Sequence, residues 1–302
     1  MRLYIHLGIH KTASTFLQNR FFPILSEIKY CNLRKDYNNF LEYFLSRDDL
    51  EFCPQQARNL LCNGINLSDK KVLISDEQFY GNVWDGCALR NRHCTRLNET
   101  FSEATIIIVF RNQVDLLESL YLQYIKTGGS AHWTEFLKAN KHPLILSTAY
   151  FKFGEYAANL IKLFGKDKVK ILLYEDMKSQ PVEYLNCWCT FLGVNDNTWD
   201  KKIIKKRDNF SLSPAFVNLM RFGNKFISSI RQPYLLVPIA FHDFYNRFFM
   251  KLSIFFPSRS NEAIIPHSAC QKYLADCQAS NKLLENIMHR DLSELGYLVE
   301  KV

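Results

Sequence analysis

The sequence predicts an α/β fold, a three-layer sandwich whose mainly parallel central sheet is covered by helices, and three observations support it. Short apolar, β-branched runs alternate along the chain with longer stretches of helical periodicity. The first run breaks into a small, lysine-bearing loop, IHLGIHKTASTFL, as a chain does when it builds an anion cradle at the C-terminal end of a parallel strand. The 302 residues are 47% hydrophobic and 14% aromatic, enough to bury a large core, most simply as one domain spanning 1–302.

Taken in order, Arg2–Leu7 reads as the first strand, ending at Gly8. Beyond it the first amides of the next helix have no intrahelical acceptors. Gly8, His10, Lys11, Thr12, Ala13, Ser14 and Thr15 therefore line a loop in which amides, a helix dipole, an ammonium and hydroxyls all favour an anion. The loop is not of the Walker type: only Ile9 and His10 separate Gly8 from Lys11, and no glycine adjoins the lysine. On spacing alone, a phosphate-type site and a plain buried strand with a capped helix both stay open. Lys71–Ser75 is the second strand, followed by Asp76 and Glu77 in ISDEQFY. Thr105–Phe110 is the third; Arg111 follows, Asn112 stands at the cap, and Leu116, Leu117, Leu120, Tyr121 and Tyr124 carry a helical period. Arg111 and Ser119 are eight residues apart, close to two helical turns, so both can serve one face and read a second phosphate. A surface ion pair of Arg111 with Asp115 is the alternative. Val169–Tyr174 is the fourth strand, with helices over 150–164, 181–192 and 270–290 before LSELGYLV closes the sequence. The strand ends then gather Lys11, Asp76, Glu77 and Arg111 around one crevice.

A formal charge of +8 arises from 38 Lys and Arg against 30 Asp and Glu, dispersed except for Lys201, Lys202, Lys205, Lys206 and Arg207. That balance suits a small polyanionic ligand, and no nucleic-acid partner is expected. Nine cysteines lack metal-site spacing; Cys31, Cys187 and Cys189, with apolar neighbours, read as small buried hydrophobes, and a reducing, cytoplasmic compartment is expected. With a strand and anion loop inside the first dozen residues, no signal peptide or membrane anchor is expected.

These segments resemble the PAPS-dependent sulfotransferases, particularly their bacterial and carbohydrate-type branch. HLGIHKTASTFLQ is similar to the family's loop for the 5′-phosphosulfate, and VFRNQVDLLESLYLQYIK to its strand-loop-helix for the 3′-phosphate. The likeness continues through FGKDKVKILLYEDM, FLGV, SNKLL and LSELGY, and is weakest over 211–262. Ala13 stands where the family usually has glycine, which narrows the backbone options. Gln113 stands where it usually has proline, and is expected to remove only a preset φ at the helix start.

The resemblance implies a P-loop-like fold, 3′-phosphoadenosine-5′-phosphosulfate (PAPS) as sulfuryl donor, the bisphosphate PAP as product, and a hydroxyl acceptor on a small molecule or glycan. No metal is expected to be required. Lys11, with the loop donors, would stabilise charge on the departing nucleotide, and Arg111 and Ser119 would hold the 3′-phosphate. Arg207 and Ser211 belong to a late basic segment that closes over the nucleotide or acceptor in the family, or else to a solvated loop. Glu77 is similar to the strand-end acid that takes the acceptor's proton in carbohydrate-type members, with Asp76 and His10 as competitors and capping as the structural alternative; His6 belongs to the strand. Residues 234–256 are amphipathic, with Asp243, Arg247 and Lys251 on one face. They fit a core or lid element, a homodimer surface or a peripheral membrane contact, and Pro233, Pro238 and Pro257 favour the core or lid element by cutting the stretch into short packed pieces. A P-loop kinase is opposed by the short loop, and an inactive nucleotide- or glycan-binding module would keep the loops without a competent base.

Overall fold

A computed structural model of the chain describes residues 2–65, 70–141, 144–196, 199–205, 213–228 and 263–300; Arg207, Ser211 and the 234–256 stretch lie outside them. Strands β1 (Arg2–Leu7), β2 (Lys29–Cys31), β3 (Lys71–Asp76) and β4 (Thr105–Phe110) appear in turn. A small antiparallel pair, β5 (Asn140–Lys141) and β6 (Leu144–Ile145), precedes β7 (Val169–Leu173). The five long-range strands make one sheet in the order β2-β3-β1-β4-β7, parallel throughout. The helices that position the site are α1 (Gln113–Lys126), α2 (Phe153–Phe164), α3 (Pro181–Leu192), α4 (Pro214–Asn224) and α5 (Gln278–Met288).

Alternation along each strand sends neighbouring side chains to opposite faces, and both faces are covered. Leu3, Ile5, Leu7, Ile74, Ile106 and Ile108 join residues of α1, α2, α4 and α5 in one core. Tyr4, Leu73, Ile107 and Val109 join Leu17, Phe21, Phe22 and the α3 residues Trp188 and Leu192 in the other. This is the expected three-layer arrangement. His6 sits in the second core, its Nδ1 2.8 Å from Ser75 Oγ and its ring edge-on to Phe22 and Trp188.

Several boundaries differ from the sequence reading. β3 runs one residue further, to Asp76, while β7 stops at Leu173 because Tyr174 opens a short helix. The stretch 150–164 begins as a 3₁₀ turn, Thr148–Phe151, and becomes α2 only at Phe153. Gly154 anchors that start: its amide donates to Ser280 Oγ at 3.0 Å, and any Cβ there would run into the Ser280 carbonyl. The single helix expected over 270–290 is three pieces, His267–Tyr273, a 3₁₀ turn Ala275–Cys277 and α5, since buried Leu274 and Cys277 turn the chain into the core. Strand β2 had no signal, being three residues long. Cys31 and Cys189 are buried as expected, but Cys187 is exposed, because α3 turns Leu185, Trp188, Cys189 and Leu192 inward and position 187 away.

Candidate active site

The site forms where β1, β3 and β4 end. Register places Leu7 level with Asp76 on one side and Ile108 on the other, so Gly8, Glu77 and Arg111 emerge along one edge of the sheet. The chain leaves β1 toward the β3 flank and continues past β4 on the other flank, which opens a crevice at that reversal.

The loop after β1 is folded tightly on itself. Lys11 (φ 66°) and Ala13 (φ 63°) both adopt the left-handed conformation, which costs an L-residue on the order of 1 kcal/mol each. Position 13 is where glycine would be free of that cost, so the alanine is a local strain. The Thr12 hydroxyl donates to the Ile9 carbonyl at 2.7 Å and is spent on the turn. Thr15 is exposed. The following helix is short: Ser14–Phe16 runs directly into a π-helical turn, Leu17–Phe21.

Glu77 leans on this loop. A Cβ at Gly8 would come within 3.0 Å of Ser14 Oγ and 3.2 Å of Glu77 Cγ, so glycine is what lets the carboxylate side chain approach. Ser14 Oγ is a long 3.4 Å from the Ile9 carbonyl and hydrogen-bonds Glu77 as well. Burial raises the Glu77 pKa, and neighbouring Asp76 raises it further; Arg34, Lys11 and the Ser14 hydrogen bond oppose that shift. The result is a carboxylate with more proton affinity than an ordinary one, as a base requires.

The rival bases are otherwise engaged. Asp76 is buried, accepts two hydrogen bonds from Arg34 (2.8 and 3.1 Å), and caps the 3₁₀ turn Glu77–Tyr80 by accepting from the Gln78 amide at 2.8 Å. The alternative reading of the acidic pair as a cap therefore applies to Asp76, not Glu77. His10 Nδ1 lies 3.2 Å from the Tyr150 hydroxyl, and burial followed by the charge of Lys11 pushes its pKa down to about 4.

Arg111 joins the two loops. It donates from Nη1 to the Lys11 carbonyl at 2.9 Å and stacks on Tyr174 at 4.8 Å, while its buried Nε has no hydrogen-bond partner. The expected alternative, an ion pair with Asp115, is long at 4.0 Å; Asp115 pairs more closely with Lys178 at 2.7 Å. Ser119 is half-buried one turn beyond Asp115, on the α1 face that Arg111 approaches. Asn112 caps α1 as expected, accepting from Val114 and Asp115 at 2.9 and 3.3 Å. Gln113 is more than a lost proline: its buried carboxamide donates to the Phe151 carbonyl at 3.2 Å and exchanges hydrogen bonds with Asn281 of α5.

Lys11 feels three charged neighbours. Desolvation lowers its pKa, Lys126 lowers it further, Glu77 raises it, and Arg111 lowers it. Sequence reasoning gave no role to Arg34, Lys126 or Tyr150. Arg34 meets Asp76 across 42 positions and Tyr150 meets His10 across 140, so neither pairing had a local signal. Lys126 did lie at the end of the segment resembling the 3′-phosphate motif.

Residues 88–214 match a family model described as a sulfotransferase domain. The sulfotransferase match spans Arg111, Ser119 and Arg207, and leaves the Gly8–Thr15 loop and Glu77 outside it. No curated protein matches the chain. Among solved structures, the sulfotransferase from Alicyclobacillus acidocaldarius shares the fold, with a TM-score of 0.57 and 17% identity over 98% of this chain and 99% of that one. The domain match supports a PAPS-sulfotransferase-like activity at the level of the family. Among the described residues, no group of three or more His, Cys, Asp or Glu is placed to hold a metal, and no helix is long and apolar enough to cross a membrane.

Proposed function

We propose that this protein transfers a sulfuryl group from PAPS to an acceptor hydroxyl on a carbohydrate or glycan. The observation that carries the reading is the meeting of Lys11, Arg111 and Glu77 at one sheet edge, joined by the Arg111 to Lys11 hydrogen bond. The residues fit a donor with anionic groups at both ends: Arg111 Nε is a buried donor without a hydrogen-bond partner, which suits an anionic oxygen. PAPS brings an activated sulfuryl group on its 5′-phosphate. Lys11 and the free amides of its loop would hold the 5′ end and favour charge accumulating there, while Arg111 and Ser119 would hold the 3′-phosphate. Arg207 and Ser211 remain candidates for closing the nucleotide site.

Glu77 would orient the acceptor hydroxyl and take its proton, its raised proton affinity suiting that task. Preference for a sugar acceptor rests on the resemblance of this strand-end acid to that of carbohydrate-type sulfotransferases. Nine free cysteines support a reducing, cytoplasmic setting. The test is to incubate the protein with PAPS and a native glycan and metabolite extract and search by mass spectrometry for a gain of one sulfuryl group. Sulfated sugars support the reading; sulfation confined to phenols or peptide tyrosines moves the acceptor class. PAP binding without any sulfated product favours a non-catalytic binding module.

A further inference from the structure

Tyr150 is fully buried, yet its hydroxyl reaches the donor loop, 3.2 Å from His10 Nδ1. The turn that carries it is held from both sides of the crevice. From the β3 flank, Tyr80, at the end of the 3₁₀ turn that Glu77 opens, donates its hydroxyl to the Tyr150 carbonyl at 2.6 Å. From the β4 flank, Gln113, two residues after Arg111, donates to the next carbonyl, that of Phe151. Arg90 fixes Tyr80 in turn: its Nη1 donates to the Tyr80 hydroxyl at 3.0 Å, and its guanidinium lies over the Tyr80 and Tyr156 rings at 5.3 and 5.0 Å. A phenylalanine at position 150 would fill nearly the same space without burying a hydroxyl, so packing alone does not account for the tyrosine.

The direction of the hydrogen bond between Tyr150 and His10 follows from what else each group can do. Burial pushes the Tyr150 pKa far up, so the phenol keeps its proton, and among the described residues His10 Nδ1 is the acceptor within its reach. The hydroxyl therefore donates, and Nδ1 is the bare nitrogen. Burial and the neighbouring Lys11 ammonium keep the ring neutral, with Arg34 adding to that effect and Asp76 opposing it. A neutral imidazole with a bare Nδ1 carries its one proton on Nε2. His10 is half-buried and its Nε2 has no hydrogen-bond partner among the described residues, so that proton is offered to whatever occupies the loop.

We propose that Tyr150 is a positioning residue: its hydroxyl fixes His10 as the Nε2–H tautomer, making the imidazole a neutral hydrogen-bond donor to the anion in the loop and removing it as a rival to Glu77 for the acceptor's proton. The inference rests on the sulfotransferase reading, in which that anion is the 5′ end of the nucleotide. During transfer the acceptor oxygen bonds to sulfur as the bond from sulfur to the 5′-phosphate oxygen breaks, and the electron pair stays on that phosphate oxygen. The acceptor's proton goes to Glu77, and His10 keeps its Nε2 proton throughout.

Long-range ¹⁵N–¹H correlation spectra of histidine-labelled protein report the tautomer directly, the His10 signals being assigned by their loss in His10→Ala. Wild type at pH 7 should show a protonated Nε2 and a bare Nδ1, with the Nε2 proton shifting when PAP is added. In Tyr150→Phe, His10 should take up a proton at higher pH than in wild type, because a donor to the neutral ring has gone. PAP affinity, by calorimetry, should fall about 3- to 10-fold in Tyr150→Phe, the span of a neutral hydrogen bond, and about 10- to 100-fold in His10→Ala, which loses a bond to a charged group. The double variant should bind no worse than His10→Ala alone. A proton on Nδ1 in wild type would overturn the assignment whether or not the variants fold. So would an unchanged His10 titration in Tyr150→Phe, or additive losses in the double variant, which mark a merely structural tyrosine. A wild-type protein that binds no PAP would instead sink the sulfotransferase reading itself, a result separate from the tautomer read in the free protein.

Discussion

Glu77 owes its chemistry to its neighbours. Gly8 lets it close on the loop, Asp76 and burial raise its proton affinity, and Arg34 restrains that rise while clamping Asp76. Because Glu77 must be ionised to accept a proton, turnover should fall as pH drops through its raised pKa, above the ordinary 4.5. Glu77→Gln should remove that acidic limb and cut saturated turnover by roughly 10²–10⁴-fold while PAP affinity stays near normal. Wild-type turnover and pH dependence in this variant would refute Glu77 as the base. Of the groups that hold the Glu77 pKa down, Lys11 and Ser14 belong to the donor loop whereas Arg34 does not, and its side chain is 58% exposed, so Arg34→Gln should move the acidic limb of kcat/KM to higher pH. A limb that stays put would show that the guanidinium does not tune the base. Lys11→Ala should nearly abolish turnover and weaken donor binding less, since the lost charge matters most as the leaving group gains negative charge. An alanine variant with unchanged turnover would remove Lys11 from the mechanism.

The elements place these residues with different degrees of legibility. The ends of β1, β3 and β4, the cap at Asn112 and the α1 period could be read directly, because each is encoded within about a dozen consecutive residues. What escaped were contacts between distant segments. Arg34 with Asp76 and Gln113 with Asn281 depend on how the layers meet, and local periodicity carries no information on that. Arg111 was legible as a cation at a strand end, whereas its hold on the Lys11 carbonyl was not. Arg111→Ala and Ser119→Ala should each weaken PAP more than adenosine 5′-phosphate, which lacks the 3′ group, and equal losses by calorimetry would indicate a folding or general charge effect. Gln113→Ala and Asn281→Ala each strand a buried amide, so each should cost about 1–3 kcal/mol, and their double-mutant cycle should show coupling of at least about 0.5 kcal/mol. Strictly additive denaturation energies would mean that the pair does not act as a unit.

At the scale of the whole molecule, the two covered faces of the sheet leave imidazoles in dry surroundings. Burial lowers the pKa of His6 from 6.5 to about 3, and those of His10 and His93 to about 4. Their folded values lie below the unfolded value. The unfolded chain therefore takes up protons first as pH falls through 6.5, and stability drops by about 1.4 kcal/mol per pH unit for each imidazole until the folded value is reached. The raised carboxyls Glu77, Glu118 and Glu175 act in the opposite sense, so the informative quantity is a difference between slopes. Denaturant unfolding of His6→Gln, followed from pH 7 to pH 5, should show a shallower decline than wild type; an identical slope would contradict a neutral buried His6.

The exchange of hydrogen bonds between Gln113 and Asn281 also bears on how this sequence can change over generations. Proline, the residue usual at position 113 in the sulfotransferases the chain resembles, cannot return in one step without leaving the Asn281 amide and the Phe151 carbonyl short of a partner. An apolar residue at 281 cannot come first without stranding the glutamine. Two positions 168 residues apart are thereby entrenched, each substitution deleterious until the other has occurred, and descendants of this chain should keep both or exchange both.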